Sequence, residues 1–213
     1  MGTQVTTGHF ITFEGGEGAG KSTQVQRLAE RLEALGQDVV QTREPGGSPG
    51  AEEIRSLLVN GPSDRWTGVT EALLHFAARA DHLAQVIRPA LKRGAWVLCD
   101  RFVDSSMAYQ GYAQELGRDT IASLSTLVIG DTQPDLTYIL DLPVAEGLAR
   151  ADVRGEGEDR YEKMGQAFHE TLRQAFLDIA AREPERCSLI DGAANIDAVA
   201  EAIWRQAADR FDL

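Results

Sequence analysis

The sequence is poor in cysteine, in positive charge and in long apolar runs, and each shortage removes a class of protein. Its two cysteines, Cys99 and Cys187, lie in separate apolar runs and form no close metal-ligand or redox pair, so they read as small core residues in a reducing cytosol. The longest apolar stretches, such as Ala95 to Cys99 and Tyr138 to Leu142, are strand-length, far short of the ~20 residues a membrane-spanning helix needs. No membrane partner is expected. Lys and Arg number 21 against 33 Asp and Glu, a formal net charge of −12. That argues against nucleic acid as a partner, because affinity for a phosphate backbone comes from clustered cations. Anions are then bound locally, and each place where arginines or backbone amides gather is informative. Met1 to Gly8 lacks the basic segment and apolar run of a secretory signal, so residues 1–8 read as a flexible leader and the cytoplasm as the compartment.

What the chain does have is enough length and apolar content, 213 residues of which 43% are hydrophobic and 25% charged, for one globular domain over residues 9–213. Short runs of β-formers alternate with longer segments of helical spacing, the pattern of βαβ units around a parallel sheet covered on both faces. The candidate strands are His9–Phe13, Asp38–Thr42, Ala95–Cys99, Leu136–Leu140 and Cys187–Ile190. Helical patterns run over about Lys21–Leu35, Ala51–Leu58, Thr67–Arg93, Thr120–Gly130, Val144–Asp152, Tyr161–Glu183 and Ile196–Phe211, with Gly36 and Gly94 placed to end helices. The fold class is α/β, a central five-stranded parallel sheet flanked by helices.

Gly15-Gly16-Glu17-Gly18-Ala19-Gly20-Lys21-Ser22, followed by Thr23, fits G-x-x-x-x-G-K-S/T between the first strand and the first helix. The glycines let the backbone curl so that successive N–H groups face phosphate oxygens, and the helix adds the positive end of its dipole. Lys21 would reach the β- and γ-phosphates, and Ser22 offers a hydroxyl to Mg²⁺. The chain therefore binds a nucleoside triphosphate, with Gly15 to Thr23 as the ATP site.

Two further strand ends reach the same sheet edge. Asp100, closing an apolar strand, is placed to hold Mg²⁺ or its water, and Arg101 beside it would face a phosphate. A structural ion pair is the alternative for each. Thr42-Arg43-Glu44-Pro45-Gly46-Gly47 adds another arginine on a turn fixed by Pro and Gly. Two arginines converging in an acidic protein suggest a second anion site, an acceptor, which a GTP switch does not need. N-K-x-D, the guanine-reading sequence of such switches, does not occur.

With these residues in place the chain resembles the bacterial-type thymidylate kinases, through FEGGEGAGKST, TREPGG, EALLHFAARADH, DRFVDSSMAYQG, PDLTYILDL and an Arg-rich segment, in that order from Phe10 to the last helix. The resemblance implies a three-layer P-loop NTPase fold with a mobile lid, a homodimer, and conversion of dTMP and ATP to dTDP and ADP. It implies that Glu17 is a carboxylate near the acceptor's sugar and Mg²⁺, that Arg43 and Arg101 hold the acceptor phosphate, and that Arg79 reads thymine. It places Pro45, Ser105, Ser106, Tyr109 and Gln110 among further acceptor contacts. Where the family has a stacking Phe, this chain has His75, on the same helix face as Arg79, whereas Phe76 is turned about 100° away. We expect His75 to stack and Phe76 to lie in the core; a polar residue at a pocket rim is the alternative for His75.

Arg150 to Arg160 reads RADVRGEGEDR and has no apolar face. On composition it is a solvated loop. By resemblance it is the lid, at about residues 150–160, whose Arg150, Arg154 and Arg160 supply the charge that eukaryotic relatives carry in the P-loop, where this chain has Gly18. Arg154 is the first choice, and an arginine introduced at Gly18 is expected to restore part of the rate of an Arg154→Ala variant. The catalytic set is then Lys21, Asp100, Arg101, Glu17 and these three arginines. A kinase for another nucleoside monophosphate or deoxynucleoside, and an NTP-binding switch, are the alternatives.

Overall fold

The computed structural model describes residues 8–154, 160–161 and 164–213, with the side chains of Val153 and Arg154 outside the described part. Residues 1–7 of the expected leader, residues 1–8, lie outside it as well. Gly8 does not belong to that leader, since its N–H donates to the Leu91 carbonyl at 2.9 Å.

Five described strands form one parallel sheet: β1 (Phe10–Gly15), β2 (Val39–Arg43), β3 (Trp96–Asp100), β4 (Leu136–Asp141) and β5 (Cys187–Asp191), in the order β2-β3-β1-β4-β5. The run FITFEG of β1 is buried throughout, as a central strand covered on both faces must be. In register, Ile11 faces Leu98 of β3 on one side and Leu136 of β4 on the other.

Helix α1 (Lys21–Ala34) lays Val25, Leu28, Ala29 and Leu32 on one sheet face, beside Val199 and Ile203 of α9 (Ile196–Phe211). The opposite face is covered by two clusters. One joins Phe10 and Val97 to Phe76 of α3 (Gly68–His82) and to Ile121 of α6 (Arg118–Val128). The other joins Ile139 to Leu172 and Phe176 of α8 (Gln166–Arg182). Each fully buried Leu, Ile or Phe contributes roughly 1.5–3 kcal/mol by leaving water, so the three layers hold one another in place. The remaining helices are α2 (Pro49–Val59), α4 (Arg88–Lys92), α5 (Val103–Ser106) and α7 (Val144–Arg154).

Two expectations are corrected. The helix expected over Thr67–Arg93 is interrupted by a π-turn at Leu83–Ile87 between α3 and α4. Pro89 gives no N–H and its ring crowds the carbonyl four residues back, which a wider turn accommodates. Secondly, α5 and a π-helical run at Met107–Ala113 occupy a segment to which no helix was assigned. Their polar residues Asp104, Ser106 and Gln110 are buried beside Val103 and Ala108, so the polar face that usually marks a helix is missing. Gly36 and Gly94 do end helices, at φ 80 and 86.

Candidate active site

The chain curls after β1 through Gly15 and Gly18, which take positive φ values where there is no room for a Cβ. Gly15 has φ +131, and a Cβ there would meet the Leu140 carbonyl at 2.4 Å. Gly18 has φ +66, and a Cβ there would lie 2.0 Å from the Gly147 carbonyl of α7. Lys21, buried at the start of α1, donates its ammonium back across the loop to the carbonyls of Gly16 (2.8 Å) and Gly15 (3.3 Å). Burial and the neighbouring Arg101 lower its pKa to about 8. The exposed Ser22 donates to Asp100 Oδ2 at 2.5 Å, which brings a hydroxyl from α1 against the carboxylate ending β3.

Glu17 is turned to the other side. Its Oε1 accepts from Arg101 Nη2 at 2.9 Å and from the Tyr109 hydroxyl at 2.6 Å. Burial would raise this carboxyl, yet the charges of Arg101 and Lys21 hold it down at about 2. Of the three oxygens expected around a metal, Ser22 and Asp100 meet directly, while Glu17 is engaged by Arg101.

Every residue assigned to the acceptor (Glu17, Arg43, Pro45, His75, Arg79, Arg101, Ser105, Ser106, Tyr109 and Gln110) lines one cleft of about 180 Å³, together with Ser22 and Asp100. Arg101 stands at φ 67, a strained conformation for a non-glycine residue. Its Nη1 donates to the Gly15 carbonyl (3.0 Å) and to Ser105 (3.2 Å). Across the cleft Arg79 donates to Glu44 (2.7 Å), Ser106 (3.1 Å) and the Phe102 carbonyl (2.9 Å), with the rings of Phe76 and Phe102 beside its guanidinium. His75 is half-buried in the cleft wall, its Nε2 2.9 Å from the Tyr161 hydroxyl, while Phe76 is only 2% exposed and lies in the core. Burial and then the charge of Arg79 lower His75 to about 3, so the ring is neutral at physiological pH. Arg43 sits at the cleft mouth, 3.4 Å from Glu52.

A phosphate loop, a hydroxyl–carboxylate pair and an arginine-walled pocket thus share one cleft, and comparison with known proteins gives that arrangement a family. The family model described as thymidylate kinase matches residues 13–203. The chain belongs to the thymidylate kinase family. It is 59% identical to the thymidylate kinase of Caulobacter vibrioides over 209 residues, covering 98% of this chain and all of that relative. It is 57% identical to the Pseudomonas putida thymidylate kinase over 194 residues, 91% of this chain and 93% of the relative. The crystal structure of the Ehrlichia chaffeensis thymidylate kinase superposes with a TM-score of 0.77 at 34% identity, covering 94% of this chain and 99% of that one.

For this thymidylate kinase family member, the arginines expected in a lid divide three ways. Arg160 is fully buried rather than poised over a triphosphate: its Nη2 is 2.6 Å from Glu71, and it donates to the carbonyls of Leu58, Pro62 and Ser63. The expectation of a solvated lid arginine is therefore corrected for Arg160, since its buried guanidinium is directed at one carboxylate and three carbonyls rather than at a triphosphate. Arg150 is exposed on α7, 3.6 Å from Glu146 and 3.2 Å from the Gly192 carbonyl. The side chain of Arg154, and residues 155–159, lie outside the described residues. The expected rescue by an arginine at Gly18 is also corrected, because the Gly147 carbonyl occupies the space a side chain there would need.

Several residues of the thymidylate kinase cleft were not singled out from sequence. Glu44 binds Arg79 through Oε2 and lies 3.0 Å from His82 Nδ1 through Oε1. Glu14, buried in β1, accepts from the Phe102 N–H (2.8 Å) and from Ser105 (2.5 Å); burial and the nearby Asp104 raise its pKa to about 7. Arg55 and Tyr161 also line the cleft. A carboxylate in an otherwise apolar strand, and a Glu beside Arg43, were the available signals for Glu14 and Glu44.

Proposed function

We propose that this enzyme transfers the γ-phosphoryl group of ATP to the phosphate of dTMP, giving dTDP and ADP, within a single kinase domain over residues 9–213. The observation that carries this is the one cleft in which the phosphate-loop residue Ser22 and the Arg43–Arg101 edge meet a wall of His75, Arg79 and Ser106. ATP lies on Gly15 to Thr23, where the loop amides and Lys21 bind its phosphates. Arg101 and Arg43 hold the acceptor phosphate, His75 stacks on thymine, and Arg79, Ser106 and Gln110 face its polar edge. Pro45, Ser105 and Tyr109 complete the pocket, with Glu17 beside the sugar.

Mg²⁺ fits the residues present: no cluster of three or more His, Cys, Asp and Glu occurs among the described residues, but Ser22 and Asp100 put two hard oxygen donors side by side next to the phosphate loop. Bound there with the triphosphate, the ion would neutralise charge on the phosphate oxygens. The acceptor phosphate is already anionic, so alignment and charge neutralisation carry the rate and no general base is assigned. Arg154 is the arginine we assign to the transferring group, with Arg150 as a helper.

Val69 and Leu73 of α3 are more than half exposed, Leu127 of α6 is 80% exposed, and the two helices pack together. These exposed apolar side chains support a homodimer, which sedimentation of wild type against Leu73→Glu tests. Free, buried cysteines are consistent with the cytoplasm, and the net charge of −12 with the absence of a nucleic-acid partner. Turnover of dTMP, dUMP, dCMP, dGMP and AMP with Mg-ATP tests the central reading: dTMP should have the highest kcat/KM, and equal rates with and without a monophosphate would overturn it.

A further inference from the structure

A non-glycine residue persists in the left-handed region only where its surroundings over-determine it, and around Arg101, at φ 67, those surroundings come from β1 and the loop after it. The Arg101 N–H donates to the Phe13 carbonyl (2.9 Å), and the next N–H, that of Phe102, donates to Glu14 Oε1 (2.8 Å). The side chain returns to the same stretch, with Nη1 on the Gly15 carbonyl and Nη2 on Glu17. Glu14 differs from the others in making two such ties. It is fully buried, and its second oxygen, Oε2, accepts from the Ser105 hydroxyl at 2.5 Å. The Ser105 hydrogen is thereby committed to Glu14, and its oxygen lone pairs are left for Arg101 Nη1, 3.2 Å away. Burying a carboxylate is costly unless it is hydrogen-bonded, and both oxygens here are engaged by the turn that carries Arg101. The neighbouring Asp104 does not compete for these donors, because Arg186 holds it at 2.7 and 3.0 Å.

From this geometry we propose that Glu14 is a positioning residue for the acceptor phosphate: through the Phe102 N–H and the Ser105 hydroxyl it holds Arg101 in the strained conformation that turns its guanidinium into the cleft. Arg101 and Ser105 line that cleft, and Glu14 does not. A glutamine at position 14 fills the same space but carries one accepting oxygen and one donating amide. With the Phe102 bond kept, it turns an N–H on Ser105 and drives the hydroxyl hydrogen towards Arg101, which only donates. This rests on Arg101 holding the acceptor phosphate, as proposed above.

The test is steady-state kinetics, with kcat and the KM values for dTMP and ATP resolved, on wild type, Glu14→Gln, Arg101→Ala and the double variant. Glu14→Gln should raise KM for dTMP about tenfold, the scale of one charge-assisted hydrogen bond, and KM for ATP by about twofold at most. In the Arg101→Ala background the same substitution should change KM for dTMP by less than about twofold, because residues that act through one another are not additive. If Glu14→Gln does not fold, Ser105→Ala, which cuts the side-chain link at a half-buried position, is read in the same two backgrounds and should likewise lose its effect on KM for dTMP once Arg101 is gone. Unchanged KM for dTMP in the folded variant, or an equal rise in both KM values, overturns the proposal. So does the same rise with and without Arg101, which would make Glu14 a support of the turn and nothing more. Arg101→Ala with KM for dTMP unchanged removes the reading beneath it as well.

Discussion

The two ends of the cleft use the same pair of charges in different solvents. At the phosphate end Arg101 and Glu17 are 15% and 19% exposed, and Arg101 shares its donors among a carboxylate, a carbonyl and a serine. At the base end Arg79–Glu44 is at most 4% exposed and Arg160–Glu71 not at all. A pair that keeps contact with water can exchange one partner for a ligand phosphate at smaller cost, because water partly screens the change. A buried pair cannot, since removing either partner strands an uncompensated charge. The phosphate end is therefore suited to exchanging ligands and the base end to holding a fixed shape.

The comparison predicts its largest effect at the base end, on stability. Glu44→Ala leaves Arg79 buried without its carboxylate and should lower the unfolding free energy by about 3–5 kcal/mol in urea denaturation. A loss below 1 kcal/mol would mean that water reaches the pair. At the phosphate end the expected loss is one of rate: Lys21→Ala should reduce kcat at least about 10²-fold with an unchanged melting temperature. Near-normal kcat would remove Lys21 from the reaction.

Arg101→Ala should raise KM for dTMP by about 10–100-fold, the scale of a charged hydrogen bond, and raise KM for ATP much less. Equal effects on the two substrates would move Arg101 out of the acceptor site. His75→Ala should weaken dTMP binding by about 1–3 kcal/mol, the range for base–aromatic stacking, whereas His75→Phe should be tolerated. Unchanged affinity in the Ala variant would assign His75 to the pocket rim.

The last expected effect is in pH dependence. The folded-state pKa of His75, about 3, lies below the ~6.5 of an unperturbed imidazole. The native state therefore favours the neutral ring, and the associated stability is complete above about 6.5 and lost as pH falls towards 3. The stability difference between wild type and His75→Phe should be flat above about pH 7 and turn against wild type in acid; a flat difference throughout would show the ring to be solvated.

Sequence alone settled what depends on backbone geometry and on short spacing. Glycine at positions 15 and 18, a lysine and serine at the helix start, and strands ending in Asp100 and Arg43 define a phosphate loop at one edge of a parallel sheet, because left-handed φ values and strand-to-helix periodicity are local properties. The spacing of His75 and Arg79 on one helix face, with Phe76 turned to the core, was legible for the same reason. Tertiary structure decided which charges meet. Glu14, Glu44 and Glu71 lie 88, 35 and 89 residues from the Phe102, Arg79 and Arg160 partners they hold, and no period in the sequence links such distances. The α5 segment escaped notice because its polar side chains are buried, and Arg160 looked like a solvated lid charge because composition reports that a residue is charged and says nothing of what encloses it. An arginine's role is set by the dielectric around it and by the partner in reach, and both exist only once α2, α3 and the π-helical run at Met107–Ala113 have packed together.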